Sequence, residues 1–169
     1  PYKKIIEKLS FLKENLSCHN FREASEAILT TDLIPKTYKS EFKIYNKSFT
    51  ITGFAKGSGM IFPNMATMLA FIFTDFQIEK DTLSYFTQKA VDESFNRITV
   101  DGDTSTSDTV FVSTTNKEAL DIPIEKRPKA LRDFYKELKN AMVNLAKKIV
   151  MDGEGAKKIV EVTVKNAKN

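Results

Sequence analysis

Histidine, cysteine and tryptophan are almost missing from this chain: of 169 residues, one is His, one is Cys and none is Trp. A lone cysteine, Cys18, excludes an internal disulfide framework and fits a reducing, cytoplasmic setting. One His and one Cys cannot build a typical zinc site. Cys18 and His19 are also sequence neighbours, which point apart on a helix or strand and make a poor nucleophile–base pair. Any catalytic base is therefore expected to be something other than histidine, and no metal or cofactor is expected. No apolar run is long and uninterrupted enough to span a membrane. The opening PYKKIIEKLSF has no apolar stretch or small-residue cleavage site of the secretory kind. Lysine and arginine together outnumber Asp and Glu, 26 to 22, for a net charge of +4. They are mixed with Glu and Asp and have few aromatics among them, which reads as a solvated basic surface and not a nucleic-acid site.

What is present suits one globular unit. The chain is 41% hydrophobic and 28% charged, enough for one sizeable core. Residues 2–16 place Ile5, Leu9, Leu12 and Leu16 on one helical stripe, and residues 21–29 suit a short helix. EFKIY and SFTITGF alternate apolar and polar residues around Asn46-Lys47, the pattern of a β-hairpin. Residues 67–74, TMLAFIFT, are apolar on both faces, as a central strand requires. Residues 81–97 have helical spacing, with Asp81 as the expected N-cap. TVFVST, residues 109–114, reads as a strand. Residues 128–151 form the clearest helix, with Pro128 in the first turn and Leu131, Phe134, Leu138, Met142, Leu145 and Ile149 inward. IVEVTVK, residues 159–165, alternates as a final strand. Strands mixed with long amphipathic helices predict an α/β-layered fold, with mixed sheet packed against helices.

Glycine is also scarce, and its placement is informative. All six glycines fall in three polar turns: Gly53, Gly57 and Gly59; Gly102; and Gly153 with Gly155. Charged neighbours accompany them: Lys56, then Asp101 and Asp103, then Glu154. Glycine permits close backbone approach, so these turns are expected to meet each other or a ligand. AKGSGM is no nucleotide P-loop, because Lys56 precedes the glycines instead of following them. DGDTSTSDTV is no EF-hand loop, because Thr106 and Val112 stand where Gly and Glu are required. It remains either a turn that bonds its own backbone or part of a polar site.

Thr67 poses the sharpest question. A threonine hydroxyl is a weak nucleophile without a base, and one solution is an N-terminal threonine whose own α-amine serves as that base. That amine has a pKa of about 7.7–8 and is partly neutral near pH 7. Thr67 is internal, so it would gain such an amine only by cleavage after Ala66.

GFAKGSGMIFPNMATMLAFIFTD closely resembles the self-cleavage segment of the ornithine acetyltransferases, the bifunctional glutamate N-acetyltransferases of arginine biosynthesis. AILTTD at 27–32, ESFNRITVDGDTSTSDT at 93–109 and DGEGAKKIVEVTVKNAKN at 152–169 resemble the same family, so the likeness runs along nearly the whole chain. It implies self-cleavage between Ala66 and Thr67. Residues 1–66 then belong to the C-terminal part of an α chain and 67–169 to the N-terminal part of a β chain, together one unit of a longer enzyme. It implies Thr67 as the nucleophile that carries acetyl from N2-acetylornithine to glutamate, with acetyl-CoA a donor for some members. By position it implies Thr30, with Thr31 a close competitor, Lys56, Thr67 and Glu154 as substrate-binding residues. Association is expected as α₂β₂, with no membrane or nucleic-acid partner. The family's oxyanion hole maps upstream of Pro1 and further substrate contacts map beyond Asn169, so the chain is expected to be an internal piece. Two rival readings remain: an inert module that only folds and associates, and an amide-hydrolysing self-processing aminopeptidase of the same fold, which typically presents serine.

Overall fold

The computed structural model describes residues 2–62, 68–103, 105, 107–116 and 123–166. At its centre is a four-stranded mixed sheet: β1 (Lys36–Ile44), β2 (Lys47–Lys56), β3 (Leu69–Thr74) and β4 (Thr109–Thr114), side by side in that order. The expected hairpin is β1–β2, antiparallel from Ile44↔Lys47 to Lys36↔Ala55. β3 is central as expected, antiparallel to β2 and parallel to β4. A parallel neighbour cannot be reached by a tight turn, and the chain crosses between β3 and β4 through helix α3 (Lys80–Asp92).

The longest helix, α4 (Arg127–Met151), carries Pro in its first turn and covers one sheet face. Its inward stripe is the expected one: Phe134, Leu138, Met142, Leu145 and Ile149 are buried, and Leu131 packs half-buried beside them. They meet Ile44, Phe49, Ile51, Ala70 and Ile72 from the strands. Phe76, just past β3, stacks on Phe134 with ring centroids 4.4 Å apart. The other face carries Phe54, Phe71, Phe73 and Phe111 in ring contact, and the short α2 (Phe21–Ala27) sets Phe21 edge-on to Phe54.

Gly53 is central to this packing. A Cβ there would lie 2.7 Å from the Phe71 carbonyl oxygen and 3.1 Å from Ile72 Cγ1. Neither backbone nor β-branched neighbour can yield cheaply, so Gly53→Ala is expected to destabilise the fold by about 1–3 kcal/mol. Denaturant unfolding checks this; an unchanged midpoint would refute the close packing of β2 on β3.

Three expectations need correction. α3 starts at Lys80 with Glu79 at its N-cap, so Asp81 lies inside the first turn, where its charge complements the helix dipole. Residues 159–165 form no strand: Val160, Val162 and Val164 are exposed. Alternation makes a segment competent to be a strand, but a strand also needs a partner edge for its N–H and C=O groups. Neither β1 nor β4 pairs with this segment. Finally, α1 (Tyr2–Glu14) forms, yet buries none of its residues, so its apolar stripe packs on nothing described.

Candidate active site

The three glycine turns do converge. Thr30, Thr31, Lys56, Gly57, Ser58, Gly59, Met60, Asp101 and Glu154 line one cavity of about 210 Å³. β2 delivers Lys56 at its last position, opposite Leu69 at the start of β3. Lys56 is only 6% exposed, and its Nζ donates to Thr30 Oγ1 at 3.2 Å. The competitor Thr31 turns instead to Ser58, with hydroxyl oxygens 2.6 Å apart. Thr30 is thus the threonine that meets the lysine, although both line the cavity. Glu154 arrives from the turn after α4, where its backbone N–H donates to the Ser58 carbonyl at 2.7 Å.

Gly59 permits this approach. A Cβ there would lie 2.8 Å from Glu154 Oε2 and 3.6 Å from Asp101 Oδ2. Beside it, Met60 has φ 52, a left-handed conformation uncommon for a non-glycine residue. Asp101 holds that turn: its carboxylate accepts from Met60 N–H at 2.6 Å, Ile61 N–H at 3.1 Å and Asp103 N–H at 3.2 Å. Burial disfavours the Asp101 charge, but these N–H donors outweigh it and lower its pKa. Asp101 therefore contributes a structural carboxylate to the site. Asp103 N–H donates to Asp101 and Ser107 N–H to Ser105 Oγ, so the segment bonds its own backbone as well, and both readings of its sequence hold.

Near the start of β3, Asp108 Oδ1 accepts from Met68 N–H at 2.8 Å, and Thr109 N–H returns a bond to the Met68 carbonyl. Burial pushes the Asp108 pKa up, against the pull of the Met68 N–H and the Lys56 charge. A larger cavity, about 380 Å³, lies on that side, lined by Ile61, Phe62, Met68, Val91 and Phe95 with Asp108 at its margin. The smaller cavity is the better fit for an amino-acid substrate, because it brings an ammonium, a carboxylate and hydroxyls to one place. Ala66 and Thr67 lie outside the described residues. Cys18 and His19 sit together, exposed, in a short 3₁₀ turn before α2.

Asp32, Lys36 and Asp152 were not singled out from the sequence. Lys36 Nζ donates to Asp32 Oδ1 and to Asp152 Oδ2, both at 2.5 Å, with all three side chains at or below 4% exposure. The Asp32–Lys36 spacing of four could have suggested a pair. Nothing in the sequence joins Lys36 to a residue 116 positions away.

An α/β frame thus brings a lysine, two threonines and a glutamate around one small polar cavity, beside the start of a buried strand. The sequence profile of the ArgJ family matches residues 1–169, and the chain belongs to that family. It is 42% identical over 167 residues to an arginine biosynthesis bifunctional protein ArgJ of Colwellia psychrerythraea, covering 99% of this chain and 39% of that protein. It is 50% identical over 157 residues to a glutamate N-acetyltransferase of Methanococcus maripaludis, covering 91% of this chain and 37% of that one. The chain thus spans well under half the length of these relatives. Among solved structures, the Bacillus halodurans arginine biosynthesis bifunctional protein matches with a TM-score of 0.50 and 43% identity, over 54% of this chain and 43% of that one.

Proposed function

We propose that this chain carries the self-cleavage site and catalytic threonine of an acetyltransferase that moves acetyl from N2-acetylornithine to glutamate in arginine biosynthesis. The observation that carries the reading is the meeting of Thr30, Lys56 and Glu154 at one cavity, with Lys56 opposite Leu69, two residues after Thr67. In maturation, Thr67 Oγ attacks the Ala66 carbonyl and the acyl group shifts from nitrogen to oxygen. Water then hydrolyses the ester, leaving a carboxylate on Ala66 and both a free hydroxyl and an α-amine on Thr67. Residues 1–66 and 67–169 remain associated, in an α₂β₂ assembly.

In turnover, the α-amine takes the Thr67 hydroxyl proton as Oγ attacks the acetyl carbonyl. The C–N bond breaks, the proton passes to the departing amine, and ornithine leaves an acetyl ester on Thr67. The amine of glutamate attacks that ester, releasing N-acetylglutamate and restoring the hydroxyl. Lys56 holds a substrate carboxylate or carbonyl, Thr30 helps to orient it, and Glu154 pairs with the ornithine ammonium. Acetyl-CoA serves as a second donor, and the enzyme works in the cytoplasm. Among the described residues, no helix is long and apolar enough to cross a membrane.

Steady-state kinetics test the reading. With N2-acetylornithine and glutamate both varied, double-reciprocal plots are expected to be parallel, as for a shared acetyl-enzyme. Intersecting lines, or release of free acetate without transfer, would contradict it; the latter would favour amide hydrolysis.

A further inference from the structure

We infer that Lys36, Asp32 and Asp152 form a buried ionic clamp that positions the three turns of the candidate site, with Lys36 as its pivot. The inference deepens the acetyltransferase reading and rests on it for the activity of the site, though not for the clamp itself. Lys36 opens β1 on the sheet face beneath α4, and its ammonium bridges two carboxylates from opposite ends of the chain. Each carboxylate also holds backbone. Asp32 Oδ1 accepts from Gly57 N–H at 2.6 Å, and Asp32 Oδ2 from Thr30 N–H at 3.3 Å. Asp152 Oδ2 accepts from Leu33 N–H at 2.9 Å, and Asp152 stands two residues before Glu154. One cation therefore ties together the turn bearing Thr30, the turn following Lys56 and the turn bearing Glu154.

Energetics favour a positioning role over a purely stabilising one. Desolvating three charges costs about as much as their attraction returns, and apolar residues of equal volume often stabilise a core as well or better. Apolar packing, however, has no directional bonds with which to fix Gly57, Thr30 and Leu33. Removing Lys36 alone leaves two carboxylates facing each other, a pair that ionises fully only at raised pH. Of the charged groups on the surrounding elements, Lys56 on β2 is already bonded to Thr30, Lys148 on α4 donates to the Thr37 carbonyl, and Glu154 beyond α4 is an acid. None of them stands in for the missing ammonium.

The test compares Lys36→Met, Asp152→Asn and the double variant Lys36→Met/Asp152→Asn with the parent protein. In Lys36→Met, amide hydrogen exchange is expected to speed up at least about tenfold in peptides covering all three turns, 29–35, 56–61 and 152–157, with α4 unchanged. kcat/KM for N2-acetylornithine should fall about 10²-fold, by analogy with misplaced catalytic groups, and the mutant-to-parent ratio should rise as pH falls toward 5. The double variant should recover much of both, because the amide introduced at position 152 still accepts from Leu33 N–H and can donate to Asp32. If Lys36→Met does not fold, Asp152→Asn, which keeps the Lys36–Asp32 pair, should still loosen 29–35 and 152–157 together. Independent exchange in the three turns overturns the clamp, as does faster exchange with undiminished kcat/KM. If exchange behaves as expected but the parent protein transfers no acetyl, the functional reading falls and the clamp stands.

Discussion

Thr67→Ala is expected to migrate as a single uncleaved polypeptide and to lose acetyl transfer by about 10⁴–10⁶-fold, the range seen when a covalent nucleophile is removed. Both losses fall on one side chain because, in the proposed mechanism, the same hydroxyl opens the Ala66 carbonyl and later the acetyl carbonyl. Thr67→Ser separates chemistry from shape: it keeps a hydroxyl and, after cleavage, an α-amine, so it should still split and still transfer, more slowly. The alanine variant is also a clean probe of mechanism, because it keeps the Cβ and loses only the groups beyond it. A denaturing gel and a transfer assay read the two outcomes. Cleavage of Thr67→Ala between residues 66 and 67 would show that another group attacks that bond.

Lys56→Met should leave the fold intact and lower kcat/KM by about 10²–10³-fold, the loss expected when one partner of a buried charged hydrogen bond is truncated. Methionine keeps most of the stem that β2 buries at this position, so the deletion is chiefly one of charge and donor. Two consequences follow at the site. Thr30 Oγ1 loses its donor, and Asp108 loses the cation that opposes its burial. The Asp108 carboxyl should then titrate higher than in the parent protein. Its charge should consequently be lost at a higher pH in the variant, along with the contact it makes to Met68 N–H. Unfolding measured beside kinetics separates a site effect from collapse: an unchanged denaturation midpoint with reduced kcat/KM is the expected combination. Unchanged kcat/KM would remove Lys56 from the substrate.

Local signals carried most of the fold. The β1–β2 hairpin, the apolar β3 and the stripe on α4 each follow from periodicities that operate within one segment. Residues 159–165 have the same kind of periodicity and form no strand, because pairing depends on an edge that sequence pattern does not name. The α1 stripe makes the same point for a helix: Ile5, Leu9 and Leu12 state which face is apolar, not what it meets. For the site, the placing of glycines in three polar segments pointed to convergence, although Gly53 serves the packing of β2 on β3 inside the sheet and not a turn. Gly59 against Glu154 is the physical expression of that convergence. The roles of Thr30, Lys56 and Glu154 came from family resemblance, and the cavity brings those three together. The Lys36 clamp was only half legible: Asp32 stands four residues away, but Asp152 lies 116 positions off and, taken alone, resembles an ordinary solvated charge.

An acetyl-enzyme on Thr67 is detected by intact-mass measurement after brief incubation with N2-acetylornithine in the absence of glutamate. The fragment beginning at Thr67 is expected to gain the mass of one acetyl group, peptide mapping to place it on Thr67, and added glutamate to remove it. An unmodified fragment in a preparation that still transfers acetyl, or an acetyl group mapped to another residue, would contradict the Thr67 acetyl-enzyme.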